Sequence, residues 1–259
     1  MCTECQRKTS VTAGTIFHRS RTPLSTWFAA AWFITAQKNG ISAASLRQVL
    51  GFGSYETAWA WMHKFRRAMV RPDRERLSGV VELDETFIGG KSRGKPGAST
   101  DKVPVMIAVE RLDNGRLGRV RFEVSDAPGT TQIIDFACDT IESGTLIRTD
   151  GARLFRKLPE HGYRHEYANG YASQDRSAEL PGAHLVASLL KRWIAGTLHH
   201  SVGIENLAYY LDEYSFRFNR RASTARGMLF YRLLQQSVAT DPHPLRELLT
   251  EKADISDCP

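Results

Sequence analysis

The stretch VVELDETFIGG, residues 80–90, places three carboxylates inside a segment that otherwise has the composition of a buried strand. Side chains alternate between the two faces of a strand, so Glu82 and Asp84 share one face and Glu85 lies on the other. A buried carboxylate is unfavourable unless it is paired or binds a metal ion. For Asp84 the strand alone leaves two explanations open, an ion pair with an arginine or a role as a metal ligand.

A second aspartate favours the role of Asp84 as a metal ligand. The segment TLIRTD, residues 145–150, predicts a short strand that ends on Asp150. Sites in open α/β sheets form at the carboxyl ends of strands, where Asp84 and Asp150 could converge. Two such carboxylates are hard oxygen ligands that suit Mg²⁺ or Mn²⁺. Paired divalent ions in such a setting act on phosphodiesters.

The segments around these aspartates predict a mixed α/β domain. Two further strands are joined by the turn DNG, and a helix separates them from the strand that ends on Asp150. Beyond that strand we predict a short helix, a short strand and a mainly helical remainder. The segments are KVPVMIAVERL (102–112), GRVRFEVS (118–125), TTQIIDFACDTI (130–141), then 152–158, 163–167 and 184–236.

Residues 13–75 predict three helices of a DNA-binding module. Pro23 precedes the first helix, and Ser42 has the position of an N-cap for the second. The glycine turn GFGS then leads into YETAWAWMHKFRRAMV, residues 55–70. A short helix, a glycine turn and a longer helix form the helix-turn-helix outline, whose second helix lies in the major groove. The alternative is a plain three-helix bundle with its tryptophans in the core.

The charge distribution supports a polyanion partner. The chain of 259 residues has a net charge of +7. Residues 1–75 contain 11 Lys or Arg against 4 Asp or Glu, so they carry all of the excess. A basic module joined to a neutral one indicates nucleic acid binding. No apolar run is long enough to span a membrane and the N-terminus is polar, so we predict a cytoplasmic protein with no membrane partner.

Six segments, taken in this order, resemble the DDE-type transposases of bacterial insertion sequences. The resemblance points most specifically to insertion-sequence family fifteen ninety-five, which carries the ISXO-type transposase domain, and runs from Cys2 to about Leu234. The segments are SVTAGTIFHRSRTPLSTW, LGFGSYETAWAWMHKFRRAM, VVELDETFIGG, TDGARLF, HLVASLLKRWIAGT and LDEYSFRFNRR.

The resemblance implies an RNase H-like core in which two aspartates and a third residue hold two divalent ions, Mg²⁺ or Mn²⁺. Asp84 and Asp150 match the aspartates, and the third position holds His184 where many relatives carry Glu or Asn. Imidazole suits Mn²⁺ better than Mg²⁺, and the alternative is that His184 orients water or contacts the scissile phosphate. Lys191, two helical turns later on the same face, is implied as a catalytic residue that binds phosphate, and Arg192 lies beside it.

Relatives also carry a complete N-terminal zinc ribbon, of which only Cys2 and Cys5 are matched here. A structural zinc site takes four ligands, so we expect this remnant to bind no zinc by itself. The predicted organisation is a ribbon remnant (1–12), a helical DNA-binding domain (13–75), an RNase H-like catalytic domain (78–236) and a C-terminal tail (237–259). The predicted DNA contacts are Tyr55, Thr57, Lys64, Arg66, Arg67, Lys191 and Arg192.

The sequence therefore predicts a transposase that cleaves the ends of an insertion sequence and joins them to target DNA. The terminal inverted repeats and the target would be its DNA partners. Holding two DNA ends together implies at least a dimer. Two alternatives stay open: a metal-dependent nuclease of the same fold, and a DNA-binding relic whose catalysis has decayed.

Overall fold

The computed structural model describes residues 4, 9–71, 73–89, 102–125, 129–167, 180–198 and 204–250. The chain divides into two compact units. The helical unit comprises Met1–Pro72 together with Ala222–Pro259, and the sheet unit comprises Asp73–Arg221. In the described ranges no helix is both long and apolar enough to cross a membrane.

The helical unit is built from three N-terminal helices and two that return from the end of the chain. They are α1 (Leu24–Ala36), α2 (Ala43–Leu50), α3 (Tyr55–Ala68), α7 (Arg226–Ala239) and α8 (Leu245–Thr250). Helix α7 packs on α1 and α3. The predicted catalytic domain ended at residue 236, whereas the sheet unit ends at Arg221. Helix α7 belongs to the helical unit because it buries its apolar side against the N-terminal helices.

Local signals fix the helix boundaries in this unit. The Ser42 hydroxyl accepts a hydrogen bond from the Ser45 amide at the start of α2, and Ser54 does the same for Glu56 at the start of α3. Gly51 ends α2 with a φ of 67°, a conformation that glycine adopts without strain. Trp27 and Trp61 stack with ring centroids 3.4 Å apart and form the centre of the core.

The described part of the sheet unit contains five strands in the order β3-β2-β1-β4-β5. They are β1 (Val80–Ile88), β2 (Val103–Arg111), β3 (Leu117–Val124), β4 (Leu146–Thr149) and β5 (Arg164–Tyr167). The first three are antiparallel neighbours, whereas β4 runs parallel to β1 and β5 parallel to β4. The predicted strands are confirmed, and the short helix predicted at 152–158 is replaced by two 3₁₀ turns.

Helices cover both faces of this sheet. Helix α4 (Thr130–Thr140) packs on one face, where Leu83, Met106 and Phe136 are buried. Helices α5 (Pro181–Leu198) and α6 (Leu207–Phe218) pack on the other, over the alternate residues of β2. A mixed sheet with helices on both sides is the RNase H-like arrangement that the resemblance implies.

The motif LDEYSFRFNRR ties helix α6 to the edge of the sheet. Arg217 forms a 2.7 Å ion pair with Glu213 one turn earlier. The Asn219 side chain accepts a hydrogen bond from the Val120 amide at 2.7 Å and donates one to the Val120 carbonyl at 3.2 Å. Since β3 is an edge strand, these bonds replace those of a missing neighbouring strand. The side chains of Glu213, Arg217 and Asn219 therefore have a structural role at this edge of the sheet.

Candidate active site

Asp84 and Asp150 lie on neighbouring parallel strands. The register pairs Val80 with Leu146 and Glu82 with Arg148. Two residues further, the same register places Asp84 beside Asp150, which is the first residue after β4 ends. Burial raises the pKa of Asp84, and the negative charge of the nearby Asp150 adds to this increase. The structure therefore brings the two predicted aspartates to one edge of the sheet.

The Asp84 carboxylate is held on both sides. Its Oδ1 accepts a hydrogen bond from the Glu85 amide at 2.8 Å, and its Oδ2 lies 3.3 Å from Nε2 of His184. Burial raises the pKa of Asp84, and the charges of Asp150 and Glu82 also raise it. The contacts with Glu85 and His184 lower it, but the net shift is upward. The side chain that contacts the Asp84 carboxylate is thus a histidine. One of the two expectations for Asp84 was an ion pair with an arginine.

The loop after β4 fixes Asp150. Its Oδ1 accepts a hydrogen bond from the Ala152 amide at 2.9 Å. Just before it, the Thr149 hydroxyl accepts one from the Gly151 amide and lies 2.9 Å from Nε2 of His165 on β5. Gly151 has a φ of 79°, which permits the sharp turn. Asp150 itself is exposed at the surface of the sheet unit.

His184 reaches the site from helix α5. It is the fourth residue of the helix, and its side chain is 40% exposed. Seven residues later on the same face, Lys191 is exposed, as is its neighbour Arg192. The helix therefore presents the predicted third residue to Asp84 and two cations to solvent further along.

The other two carboxylates of β1 have different surroundings. Glu82 is 3% exposed and forms a salt bridge with Arg111, 3.4 Å from Oε1 to Nε. Glu85, on the opposite face, has a buried Oε1 with no hydrogen-bond partner among the described residues. Burial raises the pKa of Glu85, and the charges of Asp84 and Asp150 raise it further. Arg111 is a residue that the sequence analysis missed, since nothing local connects it to Glu82.

The residues predicted to contact DNA on α3 divide into exposed and buried positions. Tyr55 and Thr57, in the first turn, are exposed. Lys64 lies over the Trp27 ring at 5.9 Å, and burial lowers its pKa. Arg66 is only 2% exposed, whereas Arg67 is exposed with its guanidinium 3.1 Å from Nδ1 of His243. Tyr55, Thr57 and Arg67 are therefore accessible, whereas Arg66 is buried.

Within the described ranges, no three His, Cys, Asp or Glu side chains are close enough together to hold a metal ion. The chemistry of the donors nevertheless fits a divalent cation. Asp84 and Asp150 supply hard oxygens, and in each carboxylate one oxygen is fixed by a backbone amide. A cation there would offset the charges that raise the pKa of Asp84. Cys2 and Cys5 lie outside the described residues.

Comparison with known proteins places this site in context. Residues 76–219, more than half of the chain and the span that contains Asp84, Asp150, His184 and Lys191, match the protein family described as the ISXO2-like transposase domain. The chain is also 27% identical over 238 residues to a protein of Halobacterium salinarum described as an uncharacterized protein in transposable element ISH50. That similarity covers 84% of this chain and 77% of the relative.

Proposed function

Because this chain belongs to the ISXO2-like transposase family, we propose that it cleaves the ends of an insertion sequence and transfers the freed strands into target DNA. The observation that carries the proposal is the juxtaposition of Asp84 and Asp150 on neighbouring parallel strands, with His184 3.3 Å from Asp84. A carboxyl whose pKa is raised by burial and by a neighbouring carboxylate, as that of Asp84 is, is typical of a functional site.

Asp84 and Asp150 would hold divalent ions, Mg²⁺ or Mn²⁺, with His184 as a third ligand or as a group that orients water. When bound, such ions polarise the scissile phosphate and lower the pKa of an attacking water. Asp84 is suited to this role because its Oδ1 is fixed by the Glu85 amide, which leaves Oδ2 directed towards His184. The two aspartates thus keep their geometry through main-chain contacts.

Two phosphoryl transfers follow from this assignment. In the first, water attacks phosphorus at the end of the element; the new P–O bond forms, the bond to the 3′-oxygen breaks, and that oxygen takes up a proton. In the second, the resulting 3′-hydroxyl attacks a phosphorus of the target, loses its proton and displaces the target's own 3′-oxygen. Neither step needs a covalent bond between protein and DNA.

Exposed groups in both units would bind the DNA. The first turn of α3, with Tyr55 and Thr57, would read the terminal repeats in the manner of a recognition helix. Lys191 and Arg192 on α5 would bind phosphates close to the site. Because the reaction joins two ends of one element, at least two copies of the chain would act together.

The test uses the full chain and DNA that carries the repeats flanking its gene. With Mn²⁺ or Mg²⁺ we expect wild type to yield cleaved ends and joined products. Asp84→Asn and Asp150→Asn should lose both, and calorimetry should show that they also lose saturable Mn²⁺ binding in the presence of a cleaved end. The matched control is Asp135→Asn, which makes the same charge change at an exposed position of α4 on the opposite side of the sheet.

Each other outcome identifies an alternative. Cleavage without joined products would replace the proposal by a nuclease of the same fold. Specific DNA binding without any cleavage would indicate a DNA-binding relic. Retained cleavage in Asp84→Asn would refute the assignment of the site itself.

A further inference from the structure

Glu82 is a buried carboxylate whose partners lie at the start of helix α5. Its Oε2 accepts a hydrogen bond from the Ala183 amide at 2.8 Å, and its Oε1 forms the salt bridge with Arg111. Ala183 is the third residue of the helix, so its amide has no acceptor within the helix. Glu82 therefore satisfies that amide from a neighbouring strand and places negative charge at the positive end of an 18-residue helix.

The helix start also lies so close to the sheet that a Cβ at position 182 would force a neighbouring side chain to move. A Cβ added to Gly182 would lie 2.8 Å from Oε2 of Glu82, 2.9 Å from Cδ2 of Leu117 and 3.0 Å from Nη1 of Arg111. The first two distances are shorter than real Cβ contacts, and the third is tighter than most of them. The absence of a side chain at this position is thus a condition for the contact between Glu82 and Ala183.

This contact and the contact of Asp84 lie next to each other between the strand and the helix. Glu82 and Asp84 project from the same face of β1, two residues apart. On the helix, Ala183 bonds to Glu82 and the next residue, His184, contacts Asp84. Fixing the position of Ala183 relative to β1 therefore fixes the backbone from which the His184 ring reaches Asp84.

We propose that Glu82 is a positioning residue: together with Gly182 and Arg111 it sets the start of α5 against β1 and so holds His184 at Asp84. The importance of this position for the reaction rests on the proposed function. Groups that orient the ligands of a metal site contribute about 10- to 100-fold to affinity or activity when removed. The carboxylate of Glu82 acts through the helix and does not itself touch DNA or metal.

The first test changes shape without removing any functional group. Gly182→Ala should displace the helix start and lower the rate of cleavage about 10- to 100-fold, with little change in the KM for the DNA end. The matched control is Gly196→Ala in the same helix, where an added Cβ meets nothing within 4 Å. We expect this control to cleave at the wild-type rate.

The second test separates positioning from metal ligation at Glu82. Glu82→Gln keeps an acceptor of the same length for the Ala183 amide, whereas Glu82→Asp keeps the charge but is one methylene shorter. If Glu82 has the positioning role, Glu82→Gln should retain more activity than Glu82→Asp. Glu82→Ala should then lose as much activity as Gly182→Ala. Metal ligation predicts the reverse order. Glu110→Ala is the control for structural damage, since Glu110 is also buried and pairs with an arginine, Arg119, at 2.8 Å.

A readout that needs no catalysis keeps this inference distinct from the proposed function. Nitrogen-15 NMR of the His184 ring reports its contact with Asp84. In Gly182→Ala and Glu82→Ala we expect the ring signal to move to its position in Asp84→Asn, and in Glu110→Ala to stay at its wild-type position. An unchanged signal in the first two variants would overturn the positioning role even if the protein is an active transposase. An inactive wild type with the expected signals would instead refute only the proposed function.

Discussion

Acidification below pH 6.5 should destabilise the helical unit, because His63 is buried there as a neutral imidazole. The His63 side chain is fully inaccessible to solvent on α3. Burial, together with the charges of the nearby Arg66 and His243, lowers the pKa of His63 from 6.5 to about 2. A proton on His63 would therefore be far less stable in the folded unit than in the unfolded chain.

The sign and size of the effect follow from this difference. The unfolded chain takes up the proton as the pH falls through 6.5, whereas the folded unit does so only near pH 2. The stability gained by keeping His63 neutral is thus complete above pH 6.5 and is lost progressively below it. At about 1.4 kcal/mol per pH unit, the loss in unfolding free energy at pH 5.0 is about 2 kcal/mol.

The assay is urea unfolding at pH 7.5 and pH 5.0, followed by tryptophan fluorescence in a Trp193→Phe background. The other four tryptophans are residues 27, 32, 59 and 61, so the signal then reports the helical unit alone. His63→Phe keeps a ring against Trp59, whose centroid lies 4.1 Å away, and removes the titration. We expect the pH dependence to shrink by about 2 kcal/mol in this variant. The same pH dependence in His63→Phe and in its parent would refute the reasoning.

Three further outcomes are expected. Lys191→Gln should weaken DNA binding and reduce the slope of log affinity against log salt by about 1, whereas the exposed Lys157→Gln should leave the slope unchanged. Asn219→Leu should cost about 2 kcal/mol in unfolding free energy, because the Val120 amide and carbonyl each lose a hydrogen bond; a cost near zero would mean that water replaces both. Phe136→Ala should cost about 3–5 kcal/mol by leaving a cavity under α4, and a smaller denaturation shift would show that the core collapses around it.

The tertiary structure adds to the candidate site what the sequence could not supply. Asp84, Asp150 and His184 were selected from strand ends and a resemblance, and the sheet register brings the first two together while α5 brings the third. The sequence analysis placed Glu82 on the same face of the strand as Asp84 and did not predict the role of Gly182. The sequence Pro181-Gly182 at the start of α5 is a local signal for the start of a helix. The reason for the glycine depends on the side chains of the sheet that pack against it.

Sequence by itself determined the elements. Strand alternation, the serine N-caps and the turn glycines act between residues a few positions apart, so β1, α2 and α3 follow from local patterns. Tertiary structure alone decided which elements meet. The return of α7 to the N-terminal helices, the burial of Arg66 and the contact of Glu82 with Ala183 join residues far apart in the chain or depend on what packs around them. Their energies come from apolar surface, charge and hydrogen bonds matched across elements, which no local pattern specifies.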